Sequence, residues 1–174
     1  DAPPTVGNSG SPLLNPQGEV VGLVADVIGG PAGIGGIGVA VPGDLVAQSI
    51  ADLERFGVPQ RGWLGASLIS LDELPPVLLR AVGLTSTQGA MVDRVEPGSP
   101  AARAGLKGAQ RDTQGRLLAL GDVILAVDGV AVKDKADVVR LVAQRRPGDR
   151  VRLTLWRDRR RLEVTVVLMA RPRE

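Results

Sequence analysis

The apolar positions of this chain fall into short runs punctuated by glycine and proline. Residues 12–15 and 19–24 are two such runs, and Asn15-Pro16-Gln17-Gly18 between them has the composition of a tight turn. They read as strand, turn and buried strand. A third short run, residues 37–41, follows the glycine-rich segment 29–38 and again reads as a strand. From Pro42 the period changes. Val46, Ile50 and Leu53 recur at i, i+4 and i+7, which predicts a helix with those three on one face, Asp44 as its N-cap and Gly57 just past its end. The short polar stretch Val58-Pro59-Gln60-Arg61 is the natural linker. It divides the chain into expected domains at 1–60 and 61–174.

The second part carries its own pattern. Residues 89–95 and 121–129 read as strands, the latter running into an Asp128-Gly129 turn. Residues 99–106 read as a short helix with Ser99 as cap, Pro100 at the first helical position and Gly105 past the end. Residues 135–144 read as a helix with Val138, Leu141 and Val142 inward. Val151, Leu153 and Leu155 alternate with polar neighbours, as do Leu162, Val164 and Val166, so these two segments form a hairpin. Residues 107–120 read as an exposed polar loop. The fold class is mainly β, of the α+β type.

Composition removes several function classes. The chain has 174 residues, 44% hydrophobic and 23% charged, as in globular proteins. Only 2% are aromatic, so the core must be built from Val, Leu, Ile and Ala. Basic residues number 21 against 19 acidic, interspersed, which is no nucleic-acid footprint. The one dense run, Arg157-Asp158-Arg159-Arg160-Arg161, reads as the solvated tip of the hairpin, with a nucleic-acid or lipid patch as the alternative. There is no cysteine, hence no disulfide and no thiolate metal site, and no apolar run of membrane-spanning length. No metal, nucleotide or other cofactor is expected. A formal G-x-G-x-x-G match at Gly33, Gly35 and Gly38 is rejected because a strand pattern, not a helix, follows it.

The stretch with the clearest chemistry is Gly7-Asn8-Ser9-Gly10-Ser11-Pro12. A serine between glycines on a sharp turn presents its hydroxyl outward, and the Gly7 and Ser9 amides, with Asn8 shaping the loop, would face a developing oxyanion. The same residues also compose an ordinary surface turn. The chain has no histidine. A Ser-His-Asp triad needs an imidazole to take the serine proton. The stretch resembles the nucleophile segment of trypsin-like proteases, in which the base and its aspartate come earlier in the chain than the serine. Only eight residues precede Ser9, so that resemblance implies the C-terminal part of a protease that carries the nucleophile and lacks the base.

The motif, the strand-turn-strand after it and the second-domain pattern together resemble the HtrA/Deg family of trypsin-like serine proteases. Ser11 stands where that family usually has glycine, and Thr5-Val6 where an Asn-Pro pair is common. The resemblance implies a partial trypsin-like β-barrel, its C-terminal half, followed by a PDZ domain. It places Pro3, Pro4 and Thr5, with Ile37 and Gly38, at the primary specificity pocket. It makes Ala25, Asp26 and Val27 the segment that pairs with substrate backbone. Gly62-Trp63-Leu64-Gly65-Ala66-Ser67-Leu68-Ile69 looks like the start of a PDZ domain, with Leu64-Gly65-Ala66 as the loop whose amides bind a peptide carboxylate. Trp63, Ser67, Leu68, Val138 and Leu141 join it as peptide-binding residues. A plain strand start, with glycine for packing, is the alternative. The strings at 99–106 and 121–124 support the PDZ reading. The insertion at 107–120 looks like that of plant thylakoid Deg proteases and some bacterial relatives.

The implied function is a serine endopeptidase of protein quality control. It degrades unfolded or damaged polypeptides, and its PDZ domain captures their C-termini. The alternative is a catalytically silent peptide-binding module, since the base and its aspartate are not in this chain. The parent is expected to be a homotrimer, without nucleic-acid partners or a membrane span in this stretch. A bacterial cell-envelope or periplasmic location is expected by family.

Overall fold

The computed structural model describes residues 6–28 and 37–172. The chain separates into two units, Asp1–Gln60 and Arg61–Glu174.

In the first unit a 3-10 turn at Val6–Asn8 leads into β1 (Pro12–Leu14), β2 (Val20–Ile28) and β3 (Ile37–Pro42), followed by helix α1 (Gly43–Phe56). The strands form one antiparallel sheet in the order β1-β2-β3. Asn15 builds the first turn as its composition dictates: its Oδ1 accepts from the backbone N–H of Gln17 (3.0 Å) and Glu19 (2.9 Å). Helix α1 begins two residues earlier than expected. Strand β3 runs straight to Pro42, which occupies the N-cap without a side-chain cap bond, so Asp44 falls in the first turn and accepts from Leu45 N–H at 2.8 Å. Its charge still suits the positive end of the helix. Gly57 ends the helix at φ 71°, with its N–H bonded to Leu53.

The described residues of this unit enclose no core. Among its described residues only Gly22 and Asp52 are buried, and the Asp52 carboxylate accepts from Gln60 N–H at 2.9 Å. The expectation of a buried strand at 19–24 is corrected: Val20 and Val21 are exposed. Ile50 and Leu53, expected on one helix face with Val46, are exposed as well. Three strands and one helix supply no second layer to cover them.

The second unit consists of β4 (Gly62–Trp63), β5 (Ala66–Ser70), α2 (Pro76–Ala81), β6 (Ala90–Val95), α3 (Pro100–Arg103), β7 (Gln110–Arg111), β8 (Leu117–Ala119), β9 (Val123–Val127), β10 (Val130–Ala131), α4 (Lys135–Ala143), β11 (Arg150–Arg157), β12 (Arg160–Val167) and β13 (Met169–Ala170). The main sheet has the order β12-β11-β9-β6-β5, with β10 paired to β9, so β5 is an edge strand. A second small sheet pairs β13 with β4.

Strand periodicity sorts the core onto the two faces of this sheet. Val92 and Ile124 face a cluster that includes Val138 and Val142 of α4, Ala101 of α3, and Val151, Leu153 and Leu155 of β11. Their neighbours Met91 and Val123 face a second cluster with Leu71, Leu79 and Leu84, capped by Trp156. The alternation expected for β11 holds in full: Val151, Leu153 and Leu155 are wholly buried. The expected short helix is capped as read, with Ser99 Oγ accepting from Ala102 N–H at 3.2 Å.

Two expectations are corrected here. The insertion is a β7–β8 hairpin rather than a plain loop. Asp112 closes it, since its Oδ1 accepts from the N–H of Gln114 and Arg116 and its Oδ2 pairs with the Arg116 guanidinium at 2.7 Å. The basic run is indeed a hairpin tip, with Asp158 and Arg159 at φ 51° and 61°, but Arg157 is not a solvated charge. It grips the buried Asp122 with two bonds of 2.6 Å, and Arg159 donates to the Ala81 carbonyl at 2.8 Å. A buried carboxylate in a mostly apolar sheet requires such a partner.

Candidate functional sites

The Ser9 turn lies at the start of the first unit. Gly10 adopts φ 85°, a conformation that favours glycine, whereas Gly7 has an ordinary backbone and open space where a Cβ would lie. The turn therefore depends on Gly10 and not on Gly7. Two backbone bonds fix it to β2: Gly10 N–H donates to Val24 at 2.7 Å, and Val24 N–H donates to Ser11 at 2.9 Å. The register of β2 against β3 passes from Val24↔Ala40 to Asp26↔Val39, which leaves Ala25 as a bulge. Ser9 is exposed, and its hydroxyl donates to the Ala25 carbonyl at 3.5 Å.

The structure thus brings Ser9 to the substrate-pairing segment expected at Ala25, Asp26 and Val27. Strand β1 pairs with β2 only as far as Leu23. Ile37 and Gly38 lie on the opposite side, paired with Ile28 and Val27. Pro3, Pro4 and Thr5 lie outside the described residues. Among the described residues no group of three or more His, Asp or Glu is placed to hold a metal ion.

The second site is a groove between β5 and α4, with a cavity of about 260 Å³. Leu64, Gly65, Ala66 and Leu68 line one wall, and Val138, Val139 and Val142 line the other. Gly65 sits at φ 74°, and a Cβ there would overlap Ser99 and come within 2.9 Å of the Trp63 ring. Both conditions demand glycine. The carbonyls of Leu64 and Gly65 accept from the N–H groups of Ala101 and Glu96, each at 2.9 Å. In a trans peptide the C=O and the following N–H point in opposite directions. The Gly65 and Ala66 amides are therefore aimed away from Ala101 and Glu96. Paired donors of this kind at the mouth of an apolar slot suit a carboxylate.

The width of the slot is set at both ends. At one end Lys135 N–H donates to Ser70 Oγ at 3.1 Å, and Lys135 Nζ pairs with Glu73 at 2.8 Å. That contact holds the Glu73 carboxyl below its ordinary value. At the other end Gly62 N–H donates to Arg145 at 2.6 Å, and a Cβ on Gly62 would meet the Val142 carbonyl at 2.6 Å. Between these clamps β5 keeps one edge without a strand partner, the geometry that accepts an added strand.

Of the residues expected in this groove, Trp63, Leu64, Gly65, Ala66, Leu68 and Val138 line it. Ser67 is exposed beside it, and Leu141 packs against the core. Val139, Val142, Arg61 and Arg171 line it without having been expected there. Val142 was legible as the i+4 neighbour of Val138. Arg171 was not, because only the pairing of β13 with β4 brings it near.

These features define the class. Residues 62–168 match the PDZ domain family, and the chain belongs to it. Over its whole length the chain is also similar to HtrA-type proteases. It is 33% identical over 174 residues to a probable periplasmic serine endoprotease, DegP-like, of Brucella suis, covering 100% of this chain and 31% of that protein. A protein of the same description from Rhizobium meliloti is 35% identical over 158 residues, 91% of this chain and 28% of that one. Among solved structures, the HtrA-type protease AlgW with decapeptide superposes with a TM-score of 0.70 at 30% identity, covering 98% of this chain and 48% of that one. The chain spans about a third of the length of the curated relatives it matches. The mainly β fold and the resemblance expected from the sequence are borne out.

Proposed function

We propose that this chain is part of an HtrA-type serine endopeptidase. Residues 1–60 are the C-terminal part of its trypsin-like domain, and residues 61–174 are a PDZ domain that captures peptide C-termini. The carrying observation is the fixed slot at Gly65: two amides aimed at the end of an apolar groove, beside an edge strand that has room for one more. A peptide would enter as an antiparallel strand on β5, with its carboxylate at the Gly65 and Ala66 amides and its last side chain among Leu64, Leu68, Val138 and Val142.

Ser9 is the nucleophile in this reading. Its hydroxyl attacks the scissile carbonyl, its proton passes to a histidine outside this chain and on to the amine that departs as the peptide bond breaks, and water hydrolyses the resulting acyl-enzyme. The side of Ala25–Val27 away from β3 takes the substrate backbone. Substrates are unfolded or damaged polypeptides. The parent is a homotrimer in the bacterial periplasm, as the descriptions of its relatives suggest for location. The absence of histidine favours a second reading for the chain by itself: a peptide-binding module without turnover.

A serine-reactive phosphonate probe separates the two states. The chain alone is expected to stay unlabelled, whereas a longer parent that supplies the histidine is labelled at Ser9 and loses labelling and peptidase activity in S9A. Loss of a triad nucleophile costs on the order of 10⁶-fold in kcat. Near-native turnover in S9A would reduce Ser9 to a turn residue.

A further inference from the structure

We propose that Arg94, on the sheet face away from α4, reads the penultimate side chain of a bound peptide across Ser67 and selects an acid there. The inference rests on reading the groove as a C-terminal peptide site. It follows from how β5 and β6 divide between the two faces of the sheet. Ala66 and Leu68 of β5 pack with the cluster on the α4 side, as do Val92 and Val95 of β6. Ile69 and Met91 belong to the cluster on the other side. Ser67, between Ala66 and Leu68, therefore stands on the face away from α4. Val92 and Val95 share a face although they are three residues apart, because the register slips from Ser67↔Arg94 to Leu68↔Val92. That bulge leaves both Asp93 and Arg94 on the same face as Ser67.

The carboxylate of a peptide added to β5 fixes its register on this pattern. With the carboxylate at the Gly65 and Ala66 amides and the last side chain in the apolar slot, the penultimate residue stands opposite Ser67. Directly opposed residues on neighbouring strands share a face, so its side chain leaves the slot and lies away from α4. On that face one row runs from the peptide through Ser67 to Arg94, its partner on β6. Ser67 is short, and both it and Arg94 are exposed. Two strand spacings, about 9.6 Å, separate the ends of the row. A glutamate and an arginine leaning toward each other over a serine close that gap.

The fourth residue from the peptide's end returns to this face but meets a different row, Ile69 and then the wholly buried Met91. The face thus offers a cation at one peptide position and an apolar row at the other. The acids beside Arg94 in the chain are Asp93, which Arg111 holds at 2.6 Å, and Glu96, just past the strand. An exposed ion pair across Ser67 is worth about 2- to 5-fold in affinity at low salt.

The test uses the full chain and fluorescein-labelled decapeptides read by fluorescence anisotropy. One pair ends in Val-Val-Glu-Val and Val-Val-Gln-Val, a second in Glu-Val-Val-Val and Gln-Val-Val-Val, with C-terminally amidated versions as controls. In the first pair the Glu peptide is expected to bind about 2- to 5-fold more tightly. That ratio should be kept in R94K, lost in R94Q, inverted in R94E and reduced by added salt. In the second pair the Glu-to-Gln ratio should be the same in R94E as in the unaltered chain. Equal affinity within the first pair, or a preference that survives R94Q, overturns the role of Arg94 while leaving the groove intact. A ratio that shifts equally in both pairs overturns the readout across Ser67 in favour of a diffuse field. Failure of the free peptides to bind better than their amidated controls overturns the C-terminal reading of the groove, and the role of Arg94 with it.

Discussion

Gly65 concentrates the chemistry of the second unit in one residue. Its φ of 74° turns the chain so that two carbonyls point into the fold and the next two amides point out of it. The absence of a Cβ lets Ser99 and Trp63 close over it. Gly65→Ala must absorb both the backbone conformation and the overlap, so unfolding stability is expected to fall by about 2 kcal/mol or more. Denaturant melts measure this. Peptide affinity should fall further than stability predicts, since any relaxation re-aims the amides. A variant that melts and binds as before would show that the αL turn is dispensable. Asp122 is the other decisive residue. Its carboxylate is wholly buried yet fully used, by the Arg157 guanidinium and by Lys107 N–H at 2.8 Å. The same contact pushes the Arg157 pKa up and ties the β11–β12 tip to the start of β9.

Helix α4 shows how one element serves fold and site together. Val138 and Val142 belong to the core cluster, and with Val139 they also form a wall of the groove. Its start is set by Asp134, whose side chain accepts from Asp137 N–H at 2.9 Å. Removing that cap in Asp134→Ala is expected to cost about 1 kcal/mol of stability. The groove should weaken with it, because the first turn of α4 is what Ser70 and Glu73 hold. Thermal melts and peptide titration of the same variant check the two effects. An unchanged melt would mean that the tie from Lys135 to Ser70 and Glu73 suffices to fix the helix start.

At the scale of the molecule, the two units differ in what protects them. The buried hydrophobic side chains among the described residues all lie from Leu64 onward. Hydrogen exchange is therefore expected to show strong protection in β9, β11 and β12 and weak protection in β1 to β3. Equal protection would show that the first unit has a core of its own. The pH dependence follows from the exposed ion pairs. The Arg116 side chain lowers the Asp112 pKa, the Arg140 side chain lowers that of Asp137, and the Lys135 side chain lowers that of Glu73. A depressed carboxyl favours the folded state above its unfolded pKa and loses that contribution as the pH falls through the folded value. With no histidine and no cysteine, no side chain ordinarily titrates between about pH 6 and 8. The melting temperature should be flat across that range and fall below about pH 4, less steeply in high salt. A step near about pH 6.5 would contradict this.

Local chemistry in the sequence determined much of this protein. Alternation placed Val151, Leu153 and Leu155 inward, Ser99 and Pro100 announced α3, Asn15 and Gly18 made the first turn, and the order of motifs pointed to the family. Each of those depends on neighbours a few residues away, which the sequence displays directly. Residues 71–84 carry no such local signal, because α2 is short and gains its burial from Met91 and Val123 across the second face of the sheet. Arg157 read as solvated because its partner Asp122 lies 35 residues away. The strand at 19–24 read as buried because its apolar run is continuous, whereas burial depends on a facing layer that the described residues of the first unit do not supply. Arg171 came to the groove only through the β13–β4 pairing, which joins the two ends of the second unit. Periodicity, caps and turns are set by adjacent residues. Burial, ion pairing and the composition of a groove are set by which distant strands meet, and only the tertiary structure decided that.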